Sequence, residues 1–120
     1  MGTFSVALTV RGPTGESASV DALVDTGSTY AVLSAQLLQR MGVVRKERMS
    51  FRLADERVVD YDRGEAVVRI DGREMTVPVV FGPDDASPLL GAVTLEIFGL
   101  SVDPVGQRLI PVEGLLKGRR

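Results

Sequence analysis

Apolar and polar residues alternate along Phe4-Ser5-Val6-Ala7-Leu8-Thr9-Val10, the two-residue period of a half-buried strand. Arg11-Gly12-Pro13-Thr14-Gly15 is turn chemistry, and Ser17 to Val24 reads as the return strand with Val20, Ala22 and Val24 on one face. A polar break follows at Asp25-Thr26-Gly27-Ser28-Thr29. Ser34 is placed to cap a short helix over Ala35 to Met41, closed by Gly42, with Leu37, Leu38 and Met41 on its buried side. Met49 to Leu53 predicts a strand, Ala54-Asp55-Glu56-Arg57 a hairpin tip, and Val58 onward a second strand, clearest at Val67 to Ile70. Asp71-Gly72 is a strong two-residue turn signal, with Arg73 to Phe81 as the partner strand. Pro78 inside that run predicts an edge position or a bulge. After the loop Gly82-Pro83-Asp84-Asp85 come a short apolar piece, Leu89-Leu90-Gly91, and a short helix from Ala92 to Phe98 ended by Gly99. Leu100 to Asp103 and Gln107 to Val112 form a last hairpin around Pro104-Val105-Gly106, and residues 113–120 read as a frayed tail.

Seven or eight short strands and two short helices make the class mostly β, with a closed or heavily curled sheet. A chain of 120 residues fits one domain, 1–120. The unit of hairpin, apolar strand, Gly-containing break and short helix occurs around Asp25-Thr26-Gly27 and echoes weakly around Leu89-Leu90-Gly91.

Composition narrows the chemistry. The net charge is −2, so no strongly charged partner is implied, and Arg45, Lys46, Arg48, Lys117, Arg119 and Arg120 read as solvated surface rather than a nucleic-acid face. The chain has no Cys and no His. That excludes disulfides, thiolate nucleophiles, His-based triads and the usual zinc sites. It has no Asn and hence no N-glycosylation site. Met1-Gly2-Thr3-Phe4-Ser5 lacks the features of a signal peptide, and no apolar run approaches the ~20 residues of a membrane helix. A cytoplasmic location is the expectation. Catalysis would rest on carboxylates, hydroxyls, the two Lys, the two Tyr, Arg or a borrowed cofactor.

Ala22-Leu23-Val24-Asp25-Thr26-Gly27-Ser28 is the informative segment. An apolar strand delivers one carboxylate into a sharp break, where burial is costly unless the charge is hydrogen-bonded or shared. Gly27 permits close backbone approach and an N–H aimed at the carboxylate. The plainer alternative is a surface β-turn, since Asp, Gly and Ser are turn residues. Asp60-Tyr61-Asp62-Arg63-Gly64 is too incomplete for a calcium loop, and Asp84-Asp85 reads as turn and surface.

The segment resembles the catalytic loop of retropepsin-like aspartic proteases: a hydrophobic pair followed by Asp-Thr-Gly-Ser. Leu89-Leu90-Gly91-Ala92 is similar to the second signature of that family, and Phe51-Arg52-Leu53-Ala54-Asp55-Glu56-Arg57-Val58 to its flap hairpin, although a Gly would suit the Asp55-Glu56 tip better. The resemblance covers about residues 3 to 112. It implies a homodimeric β-barrel enzyme with one Asp25 from each subunit, since the chain holds one Asp-Thr-Gly and not the two of pepsin-like chains. It implies further that Thr26 hydrogen-bonds across the dimer axis, that Gly27 offers its backbone to substrate, that Ser28 bonds the outer carboxylate oxygen, and that no metal or other cofactor is needed. A flap over about Arg52 to Asp62 would close on an extended peptide held partly by strand-like pairing, with Arg52, Leu53, Ala54, Asp55, Glu56 and Arg57 nearest the substrate. Leu23, Val32, Leu53, Val79 and Leu89 would line subsites. Either the C-terminal hairpin, residues 100–112, or the N-terminal strand would build most of the interface, and the apolar set Leu100, Val102, Leu109 and Ile110 favours the hairpin. Two alternatives stay open: a catalytically silent dimeric peptide-binding module on the same fold, and a structural β-domain whose Asp25 only caps a turn.

Overall fold

The structure, a computed structural model, describes residues 3–118. Strands β1 (Ser5–Arg11) and β2 (Ser17–Val24) form the opening hairpin, in antiparallel register from Ser5↔Leu23 to Arg11↔Ser17. The alternation does what it predicts: Leu8 and Val10 on β1, and Ala22 and Val24 on β2, enter the core. Helix α1 (Ala35–Arg40) starts at Ser34, whose hydroxyl accepts the Leu37 N–H at 3.0 Å. Asp84, from the loop after β6, adds a second cap by accepting the Gln36 N–H at 2.9 Å. Leu37 and Leu38 are buried, and Met41 is the C-terminal cap.

Strands β4 (Arg45–Arg52), β5 (Val58–Ile70) and β6 (Arg73–Gly82) form two consecutive hairpins. At the β5–β6 turn, Asp71 and Gly72 both have positive φ, 51° and 76°, the conformation that a two-residue turn between twisted strands requires. β4 begins four residues earlier than the apolar pattern indicates. Its first half, Arg45-Lys46-Glu47-Arg48, is exposed and carries no alternation to read. A second element is also absent from the sequence reading: β3 (Ala31–Ser34), too short for a period, with Ala31 and Leu33 buried.

β7 (Leu89–Leu90) closes the arrangement. The sheet order is β1-β2-β7-β3-β6-β5-β4, and β1 also pairs with β5 from Thr9↔Arg69 to Arg11↔Val67. The sheet is therefore curled until its first strand meets its longest. β6 is interior, between β3 and β5, where Pro78 was expected at an edge or bulge. The Pro is accommodated because β3 pairs with β6 only from Val79 onward, so at Pro78 the strand has a ladder partner on the β5 side alone. Helix α2 (Ala92–Phe98) leads through Gly99 into a separate two-stranded sheet of β8 (Leu100–Asp103) and β9 (Arg108–Pro111). Leu100, Val102 and Leu109 of that hairpin pack against the main core. Residues 112–118 have no regular structure.

The turn of the last hairpin is held by Asp103. Its Oδ1 accepts the N–H groups of Val105 at 3.1 Å and Gly106 at 3.2 Å, and its Oδ2 accepts from Arg108 Nε at 3.3 Å. The Gly106 N–H, followed by that of Val105 and the Arg108 guanidinium, holds the carboxyl below its ordinary value. A depressed folded value means that the contribution is complete above the usual Asp range of ~3.9 and lost only as the pH falls through the lower folded value. Asp103→Ala is expected to speed amide exchange in β8 and β9 at every pH from about 4 to 7. Unchanged exchange would show that the carboxylate does not hold the turn.

Among the described residues, the Thr94 hydroxyl on α2 is a fully buried polar group without a hydrogen-bond partner. Thr94→Val removes it at constant shape and is expected to raise stability by about 1 kcal/mol. Denaturant titration checks this, and a loss of stability would mean that the hydroxyl is satisfied in solution.

Candidate active site

β2 delivers Asp25 at its C-terminal end, directly after Val24, which is 5% exposed. β7 lies between β2 and β3, pairing parallel to β2 (Leu23↔Leu89, Val24↔Leu90) and antiparallel to β3 (Val32↔Leu89). The Asp25 N–H donates to the Leu90 carbonyl at 3.0 Å, and the Leu23 N–H to that of Pro88 at 2.9 Å. Two segments about sixty-five residues apart thus meet at the carboxylate. Beyond it the chain folds tightly: the Gly27 N–H donates to Asp25 Oδ1 at 2.9 Å, and the Ser28 N–H to the Asp25 carbonyl at 3.1 Å. The start of α2 then locks the loop from the other side, with the Ala92 N–H on the Ser28 carbonyl at 2.8 Å and the Val93 N–H on the Thr29 carbonyl at 2.9 Å. Gly91 makes this docking possible. A Cβ there would lie 2.6 Å from the Tyr30 carbonyl oxygen and 2.8 Å from that of Ser28.

Asp25 is half-buried, whereas Thr26 and Gly27 are exposed. The Ser28 hydroxyl donates to the Tyr30 carbonyl at 3.3 Å, where the resemblance places it on the outer carboxylate oxygen. Two cavities flank the loop. One of about 170 Å³ contains Asp25 and Thr26 together with Phe4, Val102, Pro104 and Gln107, so the last hairpin stands beside the carboxylate. The other, about 430 Å³, runs from Gly27, Ser28 and Tyr30 to Phe51, Leu53 and Tyr61 of the β4–β5 hairpin. A larger concavity of about 540 Å³, around Pro13, Val43 and Thr76, touches none of these residues.

The β4–β5 hairpin projects with most of its side chains exposed. Its tip is closed by the Leu53 N–H on the Arg57 carbonyl at 2.8 Å and the Glu56 N–H on the Leu53 carbonyl at 3.0 Å. Glu56 has φ 73°, the left-handed conformation that a Gly would adopt without steric cost. Arg52 pairs with Glu56 at 3.3 Å and Arg57 with Asp55 at 2.7 Å, so the two arginines among the expected flap contacts are engaged within the tip. Arg52 and Leu53 line the larger cavity, and Ala54, Asp55, Glu56 and Arg57 do not. The Asp60–Gly64 run lies within β5, with Asp60 bonded to Ser50 and Asp62 to Arg45.

A protein-family model described as "gag-polyprotein putative aspartyl protease" matches residues 14–97, which span the Asp25 loop, the β4–β5 hairpin and Leu89–Gly91. The chain belongs to this aspartyl protease family. No curated protein matches by sequence. Among solved structures, the simian foamy virus (mac) protease is similar, with a TM-score of 0.57 at 16% identity, covering 78% of this chain and 93% of that one. The fold is that of a retropepsin-like aspartic protease: mostly β, with two short helices.

Of the expected subsite residues in this member of the aspartyl protease family, Val32 and Leu53 line the cavity between the loop and the β4–β5 hairpin. Val79 is fully buried in the core, and Leu23 and Leu89 face each other across β2–β7, each half-buried. Sequence reasoning missed Tyr30, Met49 and Tyr61, which also line the cavity. No local pattern marks them, although the chain has two Tyr and both are here. Gly91→Ala is expected to destabilise the fold by about 3 kcal/mol or more, since the clash is with backbone and has no rotamer to relieve it. Gly114→Ala, with nothing within 4 Å, is the control. Equal urea midpoints for the two variants would show that α2 does not dock as described.

Proposed function

We propose that the chain is an aspartic endopeptidase acting as a homodimer, in which Asp25 from each subunit meets at the two-fold axis. The observation that carries this reading is the placement of Asp25. It is half-buried at a strand end, bonded by the Gly27 N–H, pinned by Leu89–Gly91, and next to a cavity roofed by a hairpin. One carboxylate cannot serve as base and acid at once, and one chain supplies one Asp-Thr-Gly loop. Two carboxyls held close share a proton, which is how aspartic proteases in general divide the work.

The ionised Asp25 takes a proton from a water held between the pair, while the protonated one hydrogen-bonds the scissile carbonyl. The water oxygen bonds to the carbonyl carbon, giving a tetrahedral oxyanion hydrogen-bonded by the pair, which now holds two protons. The C–N bond then breaks as a carboxyl proton passes to the leaving nitrogen, and the pair returns to one shared proton. In this reading Thr26, exposed on the loop, meets its counterpart across the axis. The β4–β5 hairpin covers an extended peptide, and Arg52 and Leu53 are its nearest flap contacts.

The β8–β9 hairpin, beside Asp25 in the smaller cavity, is the proposed interface. Deleting it would also uncover the core, because Leu100, Val102 and Leu109 pack there. Ile110, half-buried and outside that cluster, is the cleaner probe. The rival reading, a silent dimeric peptide binder, is favoured by one contact, the Ser28 hydroxyl on the Tyr30 carbonyl instead of on the carboxylate.

The test is cleavage of an unfolded-protein mixture from about pH 4 to 7, with products read by mass spectrometry. Asp25→Asn should fold and dimerise like the native chain and lose activity by about a hundredfold or more. Ile110→Glu should sediment as a monomer and be equally inactive. A native dimer that binds peptides without cutting them would establish the silent binder, and a stable, active monomer would overturn the dimeric mechanism.

A further inference from the structure

Tyr30 lies outside the Asp-Thr-Gly-Ser motif, yet it touches both the loop and the hairpin above it. Its backbone is fixed, with the carbonyl accepting the Ser28 hydroxyl at 3.3 Å and abutting Gly91. Its side chain reaches the other way. The phenol oxygen accepts a hydrogen bond from Arg63 Nη1 at 2.8 Å, and the Arg63 Cζ lies 5.5 Å from the ring centroid. The Phe51 ring meets Tyr30 edge-on at 6.1 Å, and Tyr61 follows Phe51 at 6.3 Å. Arg63 is also ion-paired with Glu47 on β4, which keeps the guanidinium charged and aimed.

These two contacts bracket the hairpin. Arg63 stands at its base, where β5 passes from pairing with β4 (Glu47↔Arg63) to pairing with β6 (Arg63↔Val80). Phe51, opposite Val59, stands near the tip. Most of the other charged contacts are internal to the hairpin: Arg45–Asp62, Arg48–Asp62, Arg52–Glu56 and Arg57–Asp55. They hold β4 to β5 and the tip to itself without tying either to the catalytic loop. Arg45, 4.6 Å over the Phe81 ring, anchors the base alone.

We propose that Tyr30 is a positioning residue, a clasp that holds the β4–β5 hairpin over the Asp25 loop and sets the width of the cavity for an extended peptide. Its role toward substrate rests on the peptidase reading, whereas the clasp itself does not. A hairpin already held in place need not be ordered when the peptide arrives, so the clasp lowers KM rather than raising kcat.

Tyr30→Phe keeps the ring and its edge contact and removes only the acceptor for Arg63. In the substrate-free protein, amides of residues 48–58 should then exchange about tenfold faster, the loss of one charge-assisted hydrogen bond, while those of β1 and β2 keep their rates. With a peptide that the native chain cleaves, KM should rise about tenfold and kcat stay within about twofold. Tyr30→Leu, which also removes the edge contact, should exceed Tyr30→Phe on both measures. Unaltered exchange in Tyr30→Phe overturns the clasp, and faster exchange with unaltered KM overturns the positioning role. A native chain that neither binds nor cleaves peptides removes the peptidase reading and the positioning role with it, while the exchange rates still decide the clasp.

Discussion

The surroundings of Asp25 hang on the parallel contact between the end of β2 and the two residues of β7, in which the Asp25 N–H meets the Leu90 carbonyl. A strand of two residues has little stability of its own, since it makes too few ladder bonds to offset the ordering of its backbone. It persists because Leu90 is fully buried, because β3 pairs with it on its free side, and because α2 begins at once and donates its first N–H groups to the Ser28 and Thr29 carbonyls. The loop is thus clamped from two directions by one stretch of chain. Helix starts carry unpaired N–H groups and loops carry unpaired carbonyls, and each satisfies the other here. That exchange fixes where the Asp25 carboxylate can point.

The hairpin above the loop is built on a different principle. The body of the protein is held by Leu8, Leu33, Leu38, Val68, Val79 and Phe98, all 2% exposed or less. The hairpin instead has exposed faces and is joined strand to strand by ion pairs. Surface pairs of this kind are each worth at most about 1 kcal/mol and weaken with salt. A cover made this way keeps its own shape yet is cheap to displace as a unit, as the proposed flap role requires.

Much of this architecture was legible in the sequence because alternation and turn chemistry are local. The β1–β2 hairpin, the Ser34 cap, the Asp71-Gly72 turn and both helices follow from residues within a few positions of one another. What escaped was non-local or unpatterned. Ala31–Ser34 is a strand only because β6 and β7 lie on either side of it, and Arg45–Arg48 is a strand because β5 pairs with it, with Asp62 facing Arg45 and Arg48. The candidate site divides in the same way. Asp25, Gly27 and Gly91 were readable as motif residues with chemical reasons to be what they are. Tyr30 was not, because nothing near it in the chain announces that Arg63 and Phe51 will fold over it.

The aromatic content of the chain bears on how the cavity can be watched. There is no Trp, and the two tyrosines, Tyr30 and Tyr61, both line the cavity between the loop and the hairpin. Tyrosine absorbance, circular dichroism near 280 nm and emission therefore arise from this one place, undiluted by chromophores elsewhere. The protein thus carries its own optical reporter at the proposed cleft, and a label-free titration with peptide would be read from that one place.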